Sequence, residues 1–404
     1  MSTLARLSCA QLRRNFDAEN ARRCRQRSSN FSVLKRTWEK KMKAAVVNHV
    51  GDKFVIATVQ ISKPEGREVL VEVKASGLCH TDLHFANNVF GVPMPAVFGH
   101  EVSGIVAEVG PDVREFSVGD HVVACLIQHC GHCESCLAGR MYQCKHPEET
   151  LRSAEQSPRL TLEGQPLTPV FGTSGFVEKT LVHENQLAKV PDSIPFPQAC
   201  VLGCGTVTGA GAAINTAAVK PGDTVAVIGI GGVGLNVISG AKLAGATHII
   251  AIDLQPAKFE LAKKFGATQV IDSSAVDPVE QVLSLTDGGV DHAFEVVGLK
   301  QTSEQALRMT RVGGGAYLIG VHKPNSRIEI SVMEEFIASQ RRIQGVMMES
   351  SNIKHDIPMY AELYLQGKLN LDDLISQEIN ISEINEAYEE LKHGKIARSV
   401  ITSF

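Results

Sequence analysis

The stretch that most constrains this chain is Thr224-Val225-Ala226-Val227-Ile228, followed at once by Gly229-Ile230-Gly231-Gly232-Val233-Gly234. A continuous apolar run of this length suits a strand buried on both faces of a parallel sheet. The glycines at 229, 231 and 234 fit G-x-G-x-x-G: one makes the turn, one lets the backbone approach a pyrophosphate, and one packs the next helix on the strand. A helix-like segment to Ala244 follows, then a second strand, Ile249 to Ile252, that ends on Asp253, nineteen residues after Gly234. A carboxylate there can accept hydrogen bonds from adenosine ribose hydroxyls, and its charge opposes a 2′-phosphate, which favours NAD over NADP. Helices at 258–265 and 279–285 and strands at 269–272 and 292–297 continue the alternation to about residue 345. The pattern predicts an α/β doubly wound parallel sheet.

The half before it reads differently. Short β-branched runs at 43–47, 54–59, 69–77, 104–110, 119–124, 176–182 and 187–191, divided by Gly, Asp and Pro, predict a barrel-like, mostly β region up to about residue 205. Two stretches in it carry chemistry: Gly77-Leu78-Cys79-His80-Thr81-Asp82-Leu83-His84 and Phe98-Gly99-His100-Glu101. Cys79 alone reads more simply as a small buried hydrophobe and His100 as a core histidine. Together they offer a thiolate and an imidazole to a borderline-soft cation such as zinc, whose catalytic sites need a third protein ligand and one open position. Cys204, in Gly203-Cys204-Gly205, is the natural candidate for that third ligand.

A second cluster runs Cys130-Gly131-His132-Cys133-Glu134-Ser135-Cys136 and on to Cys144, the spacing C-x2-C-x2-C-x7-C. Four thiolates so arranged close a tetrahedral zinc with no open position, which makes the site structural. The rival, an iron–sulfur cluster, uses other common spacings. His129 and His132 flank this lobe and are expected to be solvated, and residues 145–170, polar and proline-dotted, are expected as a long surface loop with no core.

Ten cysteines among 404 residues are too sparse for a disulfide-stapled miniature fold, and the clustered four point to reduced thiols inside a cell. Residues 1–41 hold eleven Lys and Arg against three Asp and Glu, so a net charge of −4 conceals a basic leader of +8 and a body of −12. An acidic body argues against nucleic acid as a partner. The leader, with Ala5, Cys9, Leu12 and Phe16 at helical spacing, reads either as a mitochondrial transit peptide or as a solvated segment ahead of a natural start at Met42. The expected compartment is accordingly the cytoplasm, or the mitochondrial matrix if the leader targets. The uncharged run 199–219 is rich in Gly, Thr and Ala, so it reads as buried backbone leading into a helix and not as a membrane span.

With these motifs in order, the sequence resembles the zinc-dependent medium-chain alcohol dehydrogenases from Met42 to Phe404, including Ile396-Ala397-Arg398-Ser399 near the end. The resemblance implies a leader outside the fold (1–41), a GroES-like catalytic domain (42–205), a Rossmann NAD-binding domain (206–345) and a C-terminal segment (346–404) that completes the catalytic domain. It makes Cys79, His100 and Cys204 the catalytic zinc ligands, with Glu101 and Asp82 behind them, and Cys130, Cys133, Cys136 and Cys144 the structural set: two zinc ions per chain. Thr81 and His84 match the proton relay. His80 and Arg398 match contacts to the cofactor pyrophosphate, Lys258 one near the ribose, and Val321 one whose backbone meets the nicotinamide amide. The implied reaction is hydride transfer between a primary or simple secondary alcohol and NAD, with S-hydroxymethylglutathione as the alternative substrate. The implied assembly is a homodimer or homotetramer joined edge to edge near Gly315 to Val321. A non-enzymatic protein that keeps the fold and loses zinc is opposed by the complete ligand set, and a zinc-ribbon nucleic-acid binder by the lack of a basic, aromatic surround.

Overall fold

The computed structural model describes residues 40–394 and 397–404, so the basic leader up to Glu39 and Ile396 lie outside the described residues, while Lys40 and Lys41, expected in the leader, open the first strand. Three sheets organise the rest. The first is a closed barrel of β1 (Lys40–Val47), β2 (Val55–Ile61), β4 (Ala96–Val97), β7 (Leu160–Leu162) and β8 (Gln165–Pro169), in the order β1-β2-β7-β8-β4. The second has seven strands: β3 (Glu68–Gly77), β5 (Glu101–Val109), β6 (His121–Ala124), β9 (Lys179–His183), β10 (Leu187–Lys189), β17 (Gln377–Asn380) and β18 (Ser399–Ser403). β3 is its axis. It pairs antiparallel with β5 along one edge, and on the other with β9 at Glu68–Glu72 and β18 at Ser76–Gly77. The last strands of the chain thus return to the sheet built from its beginning.

The third sheet is parallel throughout, from β11 (Thr224–Ile228), β12 (His248–Asp253), β13 (Gln269–Asp272), β14 (Val290–Glu295), β15 (Thr310–Leu318) and β16 (Arg342–Gly345), ordered β13-β12-β11-β14-β15-β16. Val225, Ala226 and Val227 in its centre are fully buried, as a strand covered on both faces requires. The strand order reverses between β11 and β14, the topological switch point at which open α/β sheets take their ligands. The fold class expected from the sequence, a doubly wound parallel sheet joined to a mostly β domain, is the one observed.

Three expectations are corrected. Residues 145–170 are not a coreless loop: β7 and β8 close the barrel, with Leu160, Thr161 and Leu167 buried. Strands of three and five residues are too short to show a period. The segment also carries Arg152 and Arg159, whose guanidinium groups converge on buried Glu68. Burial pushes the Glu68 carboxyl up, but the hydrogen bonds and charges of the two arginines more than offset it and hold it below its ordinary range. His129 is the second correction. It is buried, not solvated, and its carbonyl accepts a 2.7 Å hydrogen bond from the side chain of Asn185. His132 is exposed and pairs with Glu149 at 2.8 Å. The stretch near Gly315 expected at a sheet edge is not at one: β15 is covered by β16, pairing Gly315 with Arg342, so the edges of the parallel sheet are β13 and β16.

Candidate active site

Cys79 and His100 lie twenty-one residues apart in sequence but meet because of one hairpin-like register. β3 ends just before Cys79, β5 begins just after His100, and the two strands run antiparallel with Gly77 opposite Glu101. The register needs glycine at 77, since a Cβ there would stand 2.2 Å from Glu101 Oε2. Cys79 then caps α1 (His80–Asn87), which carries Thr81, Asp82 and His84. Cys204 arrives from α2, the continuous helix Phe196–Thr216, which loosens into a π-helical turn at Leu202–Thr206 around that residue. Turns of this kind recur at functional sites. By length and composition α2 could cross a bilayer, yet 83% of its most apolar window is buried inside the protein.

The donor atoms of Cys79, His100 and Cys204 lie within 4.8 Å of one another, and His100 Nε2 is 3.1 Å from Cys204 Sγ. Asp82 Oδ1 stands 2.9 Å from His100 Nδ1 and accepts the Gly99 N–H at 3.0 Å. A carboxylate at Nδ1 sets the tautomer that turns Nε2 toward a cation. The hydrogen bond from Cys204, opposed by burial and helped by the charge of His100, holds Cys79 well below the usual thiol range. The same contact, together with burial, pushes Cys204 well up. Burial works against charge on His100, but Asp82 and the Cys79 thiolate more than offset it and raise the imidazole well above its usual value. Entry of a cation would therefore displace protons from Cys204 and His100. The donor set is two sulfurs and one nitrogen, buried, with one tetrahedral position left over, which fits catalytic zinc.

The four-cysteine lobe fits a closed site. Tetrahedral ligation at about 2.3 Å from zinc puts sulfurs about 3.8 Å apart. The observed separations are 3.5 Å for Cys133–Cys136, 3.9 Å for Cys130–Cys136 and 4.0 Å for Cys133–Cys144. Backbone N–H groups of Cys130 and His146 donate to Cys144 Sγ, and that of Cys133 to Cys130 Sγ, which favours thiolates.

The nucleotide turn lies beside the metal donors. Gly229 takes φ +101°, and a Cβ at Gly234 would stand 1.9 Å from Gly229 O, so each needs glycine for its own reason. Gly231 caps α3 (Gly232–Ala244), and a Cβ there would meet nothing within 4 Å: the space a pyrophosphate would occupy is open at a helix N-terminus. Val233 turns into the helix, where its carbonyl packs on Gly209 of α2. Asp253, at the end of β12, accepts the Ile230 N–H at 2.8 Å and the Gln255 N–H at 3.0 Å, and pairs with Lys258 at 3.1 Å. Val321 lies against Gly298, beyond the carboxyl ends of β14 and β15.

Arg398 joins the two halves. It is buried, its Nη2 lies 2.9 Å from Glu101 Oε1, its Nη1 donates to Leu78 O at 3.1 Å, and a Cβ on Gly232 would stand 3.1 Å from Nη2. Burial pushes Glu101 up to about 7, although Arg398 pulls it down. His80 is exposed, with the positive charges of Arg398 and Lys258 among those around it. Of the site residues expected from the sequence, the structure brings together Cys79, His100 and Cys204 with Asp82, Glu101 and Arg398, sets Arg398 against the glycine turn, and carries Thr81 and His84 on the helix that Cys79 opens. Two were not foreseen: Tyr388, whose buried hydroxyl donates to Cys79 O at 3.4 Å, and Phe171, whose ring packs edge-to-face on His100 with centroids 5.5 Å apart. Neither sits in a motif, and nothing local marks them.

Comparison with known proteins agrees with this geometry. Residues 65–192 match the alcohol dehydrogenase GroES-like domain, and residues 232–366 the zinc-binding dehydrogenase domain. Alcohol dehydrogenase 1 of Trifolium repens is 36% identical over 369 residues, covering 89% of this chain and 97% of its own. The crystal structure of an alcohol dehydrogenase zinc-binding domain protein from Burkholderia ambifaria superposes with a TM-score of 0.86 at 36% identity, covering 90% of this chain and 98% of that one. Benzyl alcohol dehydrogenase from Acinetobacter calcoaceticus gives 0.85 at 35%, covering 91% and 100%. A Cys2His catalytic donor set is the one known for alcohol dehydrogenases. Matched in sequence, in fold and in its metal donors, the chain belongs to the zinc-dependent medium-chain alcohol dehydrogenase family.

Proposed function

We propose that this protein is a zinc-dependent alcohol dehydrogenase that transfers hydride between a small primary or simple secondary alcohol and NAD. The observation that carries the reading is Arg398, one buried guanidinium that touches both the carboxylate behind the metal donors and the glycine turn of the nucleotide sheet. Bound zinc supplies a Lewis acid that lowers the pKa of a substrate hydroxyl, and bound nicotinamide supplies the hydride acceptor. Cys79, His100 and Cys204 would hold the metal, and Asp82 would fix the His100 ring. Thr81 and His84, one helical turn apart on α1, would take the hydroxyl proton from the buried donors toward solvent. Gly229, Gly231, Gly232, Val233 and Gly234 would cradle the pyrophosphate, with His80 and Arg398 adding positive charge, while Val321 would meet the nicotinamide.

Asp253 sets the cofactor. Its carboxylate is fixed by two backbone N–H groups and neutralises Lys258, so a 2′-phosphate would meet a held negative charge and no free cation. A steady-state panel of alcohols with both cofactors is expected to show NAD strongly preferred. Asp253→Ser should lower the NAD:NADP ratio of kcat/KM by about a hundredfold, the worth of one or two charged hydrogen bonds; an unchanged ratio would remove Asp253 from this role.

A thiol adduct of formaldehyde would need a cation near the end of the cysteine lobe to hold the adduct's carboxylate. Arg152 is fully engaged, with Nε and Nη2 on Glu68, Nη1 on Ser62 Oγ and Ser157 O, and Nη2 also on Lys63 O. Lys145 is engaged with Glu134 at 2.9 Å. The assembly is proposed to be a pair of chains joined at β16. That strand is an open edge, and Val332, Met333, Phe336 and Ile337 are exposed on the turn leading to it. Light scattering should give at least twice the monomer mass, and Ile337→Glu should yield monomers; a monomeric wild type would end the proposal.

A further inference from the structure

Beside the four-cysteine lobe lies a donor cluster that alcohol oxidation does not use. His132 Nε2 stands 2.8 Å from Glu149 Oε2, and these two atoms and Cys130 Sγ all lie within 4.8 Å of one another. Two turns build the cluster. Gly131 takes φ +85° between Cys130 and His132, and the helical turn Pro147–Thr150 brings Glu149 back to His132. The two outer side chains are 64% and 45% exposed, whereas Cys130 is buried and belongs to the closed set. Two other exposed histidines also pair with a carboxylate, His49 with Asp52 at 2.9 Å and His355 with Asp356 at 2.8 Å, but neither pair has a third such donor within that reach among the described residues. What sets His132 and Glu149 apart is the shared thiol.

A closed set poses a problem of access. Four thiolates around zinc leave no open position, so ligands must be exchanged one at a time as the ion enters or leaves. Sulfur, imidazole and carboxylate all suit zinc, at about 2.0 to 2.3 Å. Tetrahedral donors at those lengths stand at least about 3.3 Å apart, so the exposed His132–Glu149 pair has to part by only about 0.5 Å.

We propose that Cys130, His132 and Glu149 form a landing site through which zinc enters and leaves the four-cysteine lobe. The His132 nitrogen, a Glu149 oxygen and the Cys130 sulfur displace waters from the arriving ion. Cys133, Cys136 and Cys144 then displace the outer two donors while Cys130 stays bound, each of the three thiols releasing its proton to solvent. Because His132 and Glu149 are absent from the final coordination, they speed passage in both directions and leave the affinity of the lobe unchanged.

The test follows exchange of bound zinc for isotopically enriched free zinc ion in the full-length protein. The lobe's phase is the one absent from Cys136→Ser, and competition with a chelator gives the lobe's equilibrium affinity. His132→Ala and Glu149→Gln are each expected to slow that phase about tenfold with affinity unchanged, the lower end of what residues supporting a metal site contribute. Glu149→Gln is the safer variant for folding, since its amide can still hydrogen-bond His132 without the carboxylate that zinc prefers. His49→Ala, which removes an exposed pair with no third donor, should leave the rate as it is. A pair that only tethers the lobe would free it when lost, so faster exchange or weaker affinity in His132→Ala overturns the landing site. Unchanged exchange in both variants, or equal slowing in His49→Ala, overturns it too. A wild-type lobe that holds no zinc overturns it together with the closed-site assignment, and every one of these outcomes leaves the alcohol oxidation proposed above standing.

Discussion

Replacing Cys204 by alanine is expected to leave one zinc per chain instead of two and to lower hydride transfer by at least about a thousandfold, the several kcal/mol that a Lewis acid contributes at the transition state. The loss should be this complete because the donor set has no spare. Three atoms lie within 4.8 Å of one another, and the two carboxylates behind them are engaged, Asp82 with His100 and Glu101 with Arg398. Cys200 supplies the control. It lies one helical turn earlier on α2, its thiol donates to Pro197 O at 3.2 Å, and burial raises it well above the usual range, so it has no thiolate to offer. Cys200→Ala should keep both metals. Elemental analysis paired with single-turnover hydride transfer makes the measurement, and Cys204→Ala that retains two zinc ions or activity within tenfold of wild type would disprove the assignment.

Replacing Cys136 by serine should act on stability and hardly on the catalytic donors. The lobe from 130 to 144 has little core: two short helical turns, Glu134–Leu137 and Met141–Gln143, with Met141 buried but Leu137 76% exposed. Its order comes from four thiols around one point, and structural zinc contributes folding free energy outright, on the order of 10 kcal/mol in small zinc domains. In a larger protein the lobe can open alone. The expected result is one zinc per chain, tryptic cleavage after Arg140 faster by at least about a hundredfold, and a fall in melting temperature on the order of 10 °C. Cleavage at the wild-type rate would show that the lobe is held by something other than metal.

The parallel sheet was legible because a strand buried on both faces writes itself as an uninterrupted apolar run, and because the glycines after Ile228 are required by a turn and by a contact with no room for a Cβ. The metal donors were legible for a related reason: thiols and imidazoles are uncommon enough that their spacing carries information. What could not be read depends on distant partners. β7 and β8 are short and their stability lies in barrel closure. The burial of His129 follows from Asn185, fifty-six residues away. Phe171 is ordinary in sequence, and its position beside His100 is fixed by a hydrogen bond from Gln186 and by those that Thr173, Ser174 and Gly175 make to Gly99 and Val97. That β15 lies inside the sheet was not legible either, because nothing in 315–321 announces that a later segment, 342–345, covers it.

Helix α2 has a composition that a hydropathy scale reads as lipid-seeking. Its lack of large side chains has a different use. A Cβ at Gly203 would stand 2.1 Å from Ala124 O on the metal-site sheet, and one at Gly209 would stand 2.4 Å from Val233 O on the helix that follows the nucleotide turn. The helix is thus a spacer of minimum thickness, in backbone contact on both sides. Hydride moves only between carbons about 3 to 3.5 Å apart. The width of this one bare helix is therefore the gauge against which the enzyme's reach from metal to nucleotide is cut, and a single added methyl group is a large fraction of its tolerance.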